Sequence, residues 1–231
     1  TVTTLYKDGA FLGQSEDVAG LTNNSGHLII GWNPGAGEGS QIWNGTLDEI
    51  KILNRPMSAA EITWEYHMMT YGGTERFDNR NGTPSWDIPT ALWHFDDDTT
   101  GNRVEDFFGG NNGTVNGTYS WREGVFGGNG MFFNGNTSRI DAGSQLDIDE
   151  LFGNGSTIMA WVNPIGIGGG SLGTIADKGG AVTNGGWVLR LRPGNTTHLN
   201  LSFIHTFTGT DGLWSTNHSI PLGTWTHIAV T

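Results

Sequence analysis

The sequence contains no cysteine in its 231 residues, which excludes disulfide bonds, cysteine-ligated zinc and thiol catalysis. No apolar run approaches the roughly 18–20 residues that span a bilayer, so we expect no membrane insertion. Basic residues are also scarce: 11 Lys and Arg face 23 Asp and Glu, which gives a net charge of −12. A surface this acidic repels phosphate groups, so we expect no nucleic-acid partner.

Glycine and tryptophan, by contrast, are abundant, with 38 and 10 residues. The chain is too apolar and aromatic for a disordered protein. Its many short apolar runs are separated by Gly, Asn and Asp, a pattern typical of an all-β sandwich or barrel. The strands predicted in this way lie at 91–96, 130–135, 138–143, 156–164, 172–179, 187–193, 198–204 and 223–231, in addition to those near the start of the chain.

The first 13 residues, TVTTLYKDGAFLG, predict a hairpin that turns at Asp8-Gly9. Residues 27–32 and 46–53 predict two further strands. In the second of these, TLDEIKIL, strict alternation would place Asp48 on the same face as Ile50 and Ile52.

Only one stretch predicts a convincing helix, at 58–70. Ser58 and Glu61 form a capping box at its start. Together the patterns predict an antiparallel two-sheet jelly-roll sandwich with one short helix.

Several stretches resemble laminin-G-like, concanavalin-A-like lectin and glucanase domains. ALWHFDDDTTGNRVEDFFGGNNGTVNG resembles the opening of such a domain, and GTWTHIAVT resembles one of its later strands. WNGTLDEIKILNRPMSAAEI resembles its closing strand and helix. Residues 86–231 therefore resemble the N-terminal part of a domain, residues 1–70 resemble a C-terminal part, and 71–85 form a linker between them.

This reversed order allows three explanations. The chain is a piece cut across two tandem domains, or one repeat of an array, or two parts that complement each other. Complementation would occur within one chain, as a circular permutation, or between chains, as strand exchange that builds a filament. The strand pattern that begins at Thr1 leads us to expect a processed or excised piece.

The resemblance also implies a possible hydrolase, since the fold houses glycosidases with paired carboxylates on one strand. Asp147 and Asp149 in LDIDEL are the nearest match, but the Glu-x-Asp-x-Glu spacing is missing. We interpret them as solvated carboxylates of a loop. No HExxH, GxSxG or P-loop motif occurs, and we predict that the protein is not an enzyme.

A structural Ca²⁺ site is predicted from oxygen ligands that the resemblance would bring together at neighbouring strands. Its ligands would be Asp48, Asp106 and Asn112. The alternative is that Asp48 accepts hydrogen bonds from backbone amides and that Asp106 caps a turn.

Lectins of this architecture bind sugars through an aromatic ring and nearby polar groups. We predict ligand contacts at Trp187, Arg190, Arg192 and Trp214, with Trp32 and Trp43 as further rings near loop ends. In the strand at 187–193, alternation places Trp187 inward and both arginines outward. Alternatively, the tryptophans are core residues, and the two arginines form a solvated face that contacts no ligand.

The sequence has more N-x-S/T sequons than the roughly three or four expected by chance. Turn chemistry accounts for those that begin with Asn-Gly, but not for Asn136, Asn195, Asn200 or Asn217, which we predict as glycosylation sites. We therefore expect an extracellular or cell-surface adhesion module that recognises glycans or neighbouring surface proteins. The alternatives are a structural subunit of a surface array, which self-associates through complementary half-domains, and a fragment of a glycoside hydrolase.

Overall fold

The computed structural model describes most of the chain. The described residues are 2–16, 24–70, 88–97, 101–108, 110–151, 155–179, 186–207, 210–217 and 219–231. The predicted linker at 71–85 lies outside them.

One sheet, called sheet A, contains eight strands in the described part of the chain. They are β1 (Val2–Lys7), β2 (Ala10–Glu16), β4 (Asn44–Leu53), β5 (Ala91–Trp93), β8 (Tyr119–Glu123), β9 (Asn129–Asn134), β11 (Thr157–Pro164) and β17 (Thr226–Val230). Their order is β2-β1-β17-β11-β4-β9-β8, and β5 pairs with β4.

The second sheet, called sheet B, contains the other nine described strands. They are β3 (Leu28–Ile30), β6 (Arg103–Val104), β7 (Gly113–Asn116), β10 (Arg139–Asp141), β12 (Gly173–Lys178), β13 (Gly186–Arg192), β14 (His198–Phe207), β15 (Thr210–Ser215) and β16 (Ile220–Pro221). Their order is β15-β14-β13-β12-β3-β10-β7-β6, and β16 pairs with β14.

The hydrophobic core lies between the two sheets. Along regular strands alternate residues point into it, so Trp93 of β5 and Trp187 of β13 are fully buried there together with Phe133 of β9. All named strand pairs are antiparallel. The predicted two-sheet sandwich is therefore confirmed.

A single longer helix, α1 (Ala59–Thr70), packs on the outer face of sheet A. The predicted capping box is present: the Ser58 amide donates to Glu61 Oε2 at 2.7 Å, and the Glu61 amide donates to Ser58 Oγ at 3.3 Å. Ile62 packs in a second, smaller core beneath the helix. A short helix, α2 (Leu146–Asp149), was not predicted. Among the described residues, neither helix has the length and apolar character that crossing a membrane requires.

Residues 1–70 and 86–231 interleave in both sheets. In sheet A, β1 pairs with β17, and β4 pairs with β11. In sheet B, β3 lies between β10 and β12. The two segments complete one sandwich within the chain, which is the intrachain form of the expected complementation. Their assignment to the last and first parts of a family domain stays a prediction.

Candidate functional site

Asp48 lies on the outer face of sheet A, so the prediction that it shares a face with Ile50 was wrong. The register between β4 and β11 shifts at this point, with Asp48 opposite Trp161 but Lys51 opposite Met159. Glu49 has a φ of 50°. This bulge inserts an extra residue and reverses the alternation, so Leu47 and Ile50 enter the core while Asp48 does not.

The carboxyl group of Asp48 is buried and accepts two backbone hydrogen bonds. Oδ1 accepts from the Glu49 amide and Oδ2 from the Val125 amide, both at 2.9 Å. Burial, the neighbouring charge of Glu49 and, to a smaller extent, the charge of Asp96 together raise the pKa of Asp48 to about 8. In the metal-free protein the protonated form of Asp48 therefore predominates at neutral pH.

Asp106, the second predicted calcium ligand, is also engaged by N–H donors. Its carboxylate accepts from the amides of Leu92 and Asn111, both at 2.9 Å. Asn112 Oδ1 accepts from the Asp106 amide at 2.9 Å. Asp48 and Asp106 thus bind backbone amides of different segments, as in the alternative interpretation.

The two N–H donors on Asp48 use about half of the lone pairs of its carboxyl group, so the calcium site predicted at Asp48, Asp106 and Asn112 stays a prediction. Within the described residues, no group of three or more Asp, Glu and His side chains is arranged to hold a metal ion. Calcium binding would be tested by measuring whether added Ca²⁺ or a chelator changes the melting temperature.

Asp147 and Asp149 lie in α2 and not on a strand, so they do not form the carboxylate pair of a glycosidase strand. Asp149 pairs with Lys178, and both side chains are largely buried. Ser144 Oγ also donates to Asp149 at 2.9 Å. The interpretation of Asp149 as a solvated carboxylate was therefore wrong, because the sequence does not reveal its partner on β12.

Among the tryptophans predicted to contact a ligand, three have largely or fully buried rings and one, Trp32, has a partly exposed ring. Trp187 and Trp43 are fully buried in the core, so neither presents a face on which a sugar could stack. The ligand contact predicted for Trp187 is thus not available to it. Trp32, which follows β3, keeps part of its surface exposed.

Trp214 is also largely buried, with 6% of its surface exposed, and its ring packs against Phe203. It lines a cavity of about 490 Å³ between the edge strands β2 and β15. Leu12, Gln14 and Asn217 line the same cavity. Trp214 can therefore offer a ligand only a small part of its surface, and not an open stacking platform.

Arg190 and Arg192 do face outward from sheet B, as alternation predicted. Arg190 lies directly opposite Thr174 on β12 and Ser202 on β14. The neighbours of these residues, such as Leu189 and Leu201, point into the core. Thr174, Arg190 and Ser202 therefore form one row across three strands, which we call the Arg190 row.

The Arg190 row is buried although it lies on the outer face. Arg190 is 9% exposed, and Thr174 and Ser202 are fully buried. Burial lowers the pKa of Arg190, the charge of Arg192 lowers it further, and Asp177 partly offsets both effects. Thr174 and Ser202 were not predicted, because cross-strand register cannot be read from one sequence.

A hydrogen-bonded chain links the Arg190 row to the loop that carries Trp32. Arg190 Nη1 donates to Gln41 Oε1 at 3.3 Å. Asn33 Nδ2 donates to the same oxygen at 3.0 Å. Next to Asn33, the ring of Trp32 lies against the guanidinium of Arg139, which is 4.7 Å from the ring centroid. Since Arg139 is on the outer side of β10, Trp32 and the Arg190 row lie on the same face.

This face of sheet B combines an aromatic ring with fixed polar groups. Sugars are held in this way, by stacking of the ring and by hydrogen bonds that fix orientation. His27 and Asp141 add a further polar pair on the face, with Nδ1 to Oδ1 at 2.8 Å. The arrangement can bind a polar ligand.

The predicted glycosylation sites differ in exposure. Asn136, Asn195 and Asn217 are exposed, whereas Asn200 is partly buried. The Nδ2 atom of Asn200, to which a glycan would be attached, donates to the Pro193 carbonyl at 2.8 Å.

Comparison with protein families gives a match over most of the chain. A laminin G family model, described as the Concanavalin A-like lectin/glucanases superfamily, matches residues 1–63 and 134–231, more than two thirds of the sequence. Comparisons with curated proteins and with solved structures gave no significant match. The matched segments contain the Arg190 row, Gln41 and Trp32.

Proposed function

Because the chain belongs to the Concanavalin A-like lectin/glucanases superfamily, we propose that it is a non-catalytic recognition module that binds carbohydrate through the outer face of sheet B. The observation that carries the proposal is the partly exposed ring of Trp32, held by Arg139 and linked through Asn33 and Gln41 to Arg190. We further propose that the protein acts outside the cell.

The geometry supports this proposal because a stacking ring must be held in place. The cation–π contact with Arg139 fixes one face of the Trp32 ring. The Trp32 indole Nε1 also donates to the Gly37 carbonyl at 3.4 Å. A ring fixed from two sides loses little conformational entropy when a sugar stacks on it.

A glycan array probed with the purified chain, followed by calorimetry of the best ligand, tests the proposal. Trp32→Ala should weaken binding at least about tenfold, which corresponds to about 1.4 kcal/mol. Trp64→Ala is the matched control, since Trp64 is 49% exposed on α1 at the opposite face of the sandwich. It should bind as the unmodified chain does.

Two results would contradict the proposal. One is the absence of any retained glycan on the array. The other is equal binding by Trp32→Ala and the unmodified chain while both melt at the same temperature. Hydrolysis of a bound polysaccharide by the purified protein would contradict its non-catalytic part.

The second candidate is a structural subunit of a surface array. The pairing of β1 with β17 is the contact that such a subunit would use, because two copies could exchange these strands. Thr4 and Thr231 exchange two backbone hydrogen bonds there, at 2.7 and 3.0 Å. Such a subunit would self-associate and show no preference among glycans.

A further inference from the structure

The cavity of about 490 Å³ lies at the edge of the sandwich that β2 and β15 form. We infer that this cavity is a second saccharide site, which holds a small uncharged sugar. The inference rests on the proposed function for its class of ligand, carbohydrate, and adds a site away from Trp32. The strand before Trp32, β3, lies four strands from β15, about 19 Å across sheet B. One sugar residue cannot contact both places.

The cavity has the size and the access that a ligand site needs. Its volume of about 490 Å³ falls within the range of about 300–1,000 Å³ that is typical of small-molecule sites. It lies between the two sheets, since Leu5 and Trp214 belong to the core that the sheets enclose. Leu12 and Ser15 in its lining are partly exposed, and Asn217 is exposed, so the cavity opens to solvent.

Gly13 of β2 lines the cavity and leaves part of its space free. It pairs with Leu5, whose side chain points into the core, so a side chain at position 13 would point into the cavity. A Cβ atom on Gly13 would meet no atom within 4 Å, and its φ lies outside the left-handed region. Neither close packing nor backbone conformation therefore requires glycine here.

The neighbouring bulge does not require this glycine either. The register of β2 shifts beside Gly13, with Leu12 as the extra residue. The bulge type that needs glycine places it at positive φ, which Gly13 does not have. Glycine within a strand also marks places where a ligand approaches closely. The space beside Gly13 is consistent with that last role.

The lining combines an apolar surface with polar groups. Leu5, Leu12 and a small part of Trp214 form the apolar surface, on which the C–H face of a sugar ring can pack. Ser15 and Asn217 add a hydroxyl and an amide. The edge strands β2 and β15 also direct every second N–H and C=O group away from their one described neighbour. Such groups match sugar hydroxyls, which both donate and accept hydrogen bonds.

The wall beside Asn217 is held by sheet B before a ligand binds. The Thr216 amide donates to the Leu201 carbonyl at 2.9 Å, and the Leu201 amide donates to Thr216 Oγ1 at 3.1 Å. Thr216 Oγ1 also lies 2.7 Å from Ser219 Oγ. A wall that is already fixed loses less conformational entropy when a ligand binds.

The charges select an uncharged ligand. None of the described residues that line the cavity is Asp, Glu, Lys, Arg or His. A charged ligand would lose its hydration there without gaining a counter-charge, which is unfavourable. The net charge of −12 also repels anions. Neutral hexoses and N-acetylhexosamines meet this requirement, whereas uronic acids and sulfated sugars do not.

NMR titration of the isotope-labelled, unglycosylated chain tests the site. The neutral probes are methyl α-D-glucoside, methyl β-D-galactoside and N-acetyl-D-glucosamine, and D-glucuronate is the charged probe. The unglycosylated chain is used because Asn217 is a predicted glycosylation site, and an attached glycan would cover the cavity. We expect a neutral probe to bind and to shift the amide signals of residues 12–16 and 213–217. Glucuronate should bind at least about tenfold more weakly.

Gly13→Leu should weaken this binding at least about tenfold, because the new side chain fills the cavity. It should not lower the melting temperature, since the added Cβ atom meets no neighbour. Gly101→Leu is the matched control. Gly101 also has room for a Cβ atom, with the nearest atom at 3.9 Å, and it precedes β6 at the opposite edge of sheet B. If Gly13→Leu fails to fold, Gly13→Val carries the test.

The outcomes separate the cavity from the outer face of sheet B. Equal binding by folded Gly13→Leu and the unmodified chain, or no binding of any neutral probe, would overturn the cavity site. Glucuronate binding as tight as that of the neutral sugars would overturn the uncharged ligand. Loss of glycan binding in Trp32→Ala but not in Gly13→Leu would overturn the cavity site and support the outer face. Loss in Gly13→Leu alone would support the cavity and overturn the outer face.

Discussion

Asp48 and His227 are buried groups on the outer face of sheet A whose pKa values are shifted in opposite directions. Burial and the charge of Glu49 raise the pKa of Asp48 to about 8. Burial and the charge of Lys51 lower the pKa of His227 to about 3. His227 packs against the rings of Trp161 and Tyr66, with centroids 5.3 and 6.0 Å away. Both groups are therefore neutral at neutral pH.

These shifts predict how stability depends on pH. Between about 4 and 8 the folded state holds a proton on Asp48 that the unfolded state has lost, so the free energy of unfolding falls as the pH rises. Between about 3 and 6.5 the unfolded state protonates His227 and the folded state does not, so the free energy of unfolding falls as the pH is lowered. Each slope is at most about 1.4 kcal/mol per pH unit.

Denaturant unfolding at a series of pH values separates the two groups. The slopes oppose each other from about 4 to 6.5, so we expect a net decline only from about 6.5 to 8. Asp48→Asn should remove that decline and leave stability rising from pH 4 to 6.5. His227→Gln should instead leave a continuous fall from pH 4 to 8. Asp141→Asn, in a more exposed pair with His27, is the control. Unchanged slopes in both variants would contradict the prediction.

At the same scale, the sequence predicted some site residues and missed others. Alternation along β13 correctly placed Arg190 and Arg192 outward, because no bulge interrupts that strand. The same rule failed at Asp48, because the positive φ of Glu49 has no signal such as Gly or Asn. Thr174 and Ser202 were missed because they become neighbours of Arg190 only through the cross-strand register, which cannot be read from one sequence.

At the scale of elements, the contact between α1 and sheet A depends on a buried ion pair. Lys51 of β4 pairs with Glu65 of α1, and their side chains are 6% and 4% exposed. Removing one partner of a buried pair leaves an uncompensated charge, which costs about 3–5 kcal/mol. Replacing both partners with apolar residues of similar size is often neutral.

We therefore expect Lys51→Met to lower the free energy of unfolding by about 3–5 kcal/mol. The double variant Lys51→Met/Glu65→Leu should recover most of this loss. Urea unfolding of both single variants and the double variant gives the coupling energy. Arg55→Met is a control, because its pair with Glu61 is more exposed and such pairs contribute about 1 kcal/mol or less. If the changes in the free energy of unfolding of the two single variants add up to that of the double variant, the pair does not couple α1 to the sheet.

The elements that the sequence predicted are those with strong apolar patterning. The hairpin of β1 and β2, the strands β4, β11 and β13, and the capped start of α1 all carry such signals. Short polar strands escaped prediction, such as β7 (GTVN) and β8 (YSWRE). They form because neighbouring strands offer unpaired backbone groups, a tertiary effect that local propensity does not report.

At the scale of the whole molecule, the native mass separates a closed module from an exchanging subunit. The pairing of β1 with β17 and of β4 with β11 closes the sandwich within one chain. We therefore expect light scattering across a dilution series to give a constant mass of about one chain, 24.8 kDa. A ladder of masses that grows with concentration would mean that β17 of one copy pairs with β1 of another.

Thr4→Pro shows whether β1 pairs with β17 of the same chain or of another copy. The substitution removes the amide that donates to the Thr231 carbonyl at 2.7 Å. In a closed monomer this change should lower the melting temperature and leave the mass unchanged. In an exchanging subunit it should reduce the ladder, since the lost bond joins two copies. Thr4→Val keeps the amide and is the matched control, so it should behave as the unmodified chain in both measurements. A constant mass would favour the recognition module, since strand exchange is the step that an array built from this chain requires.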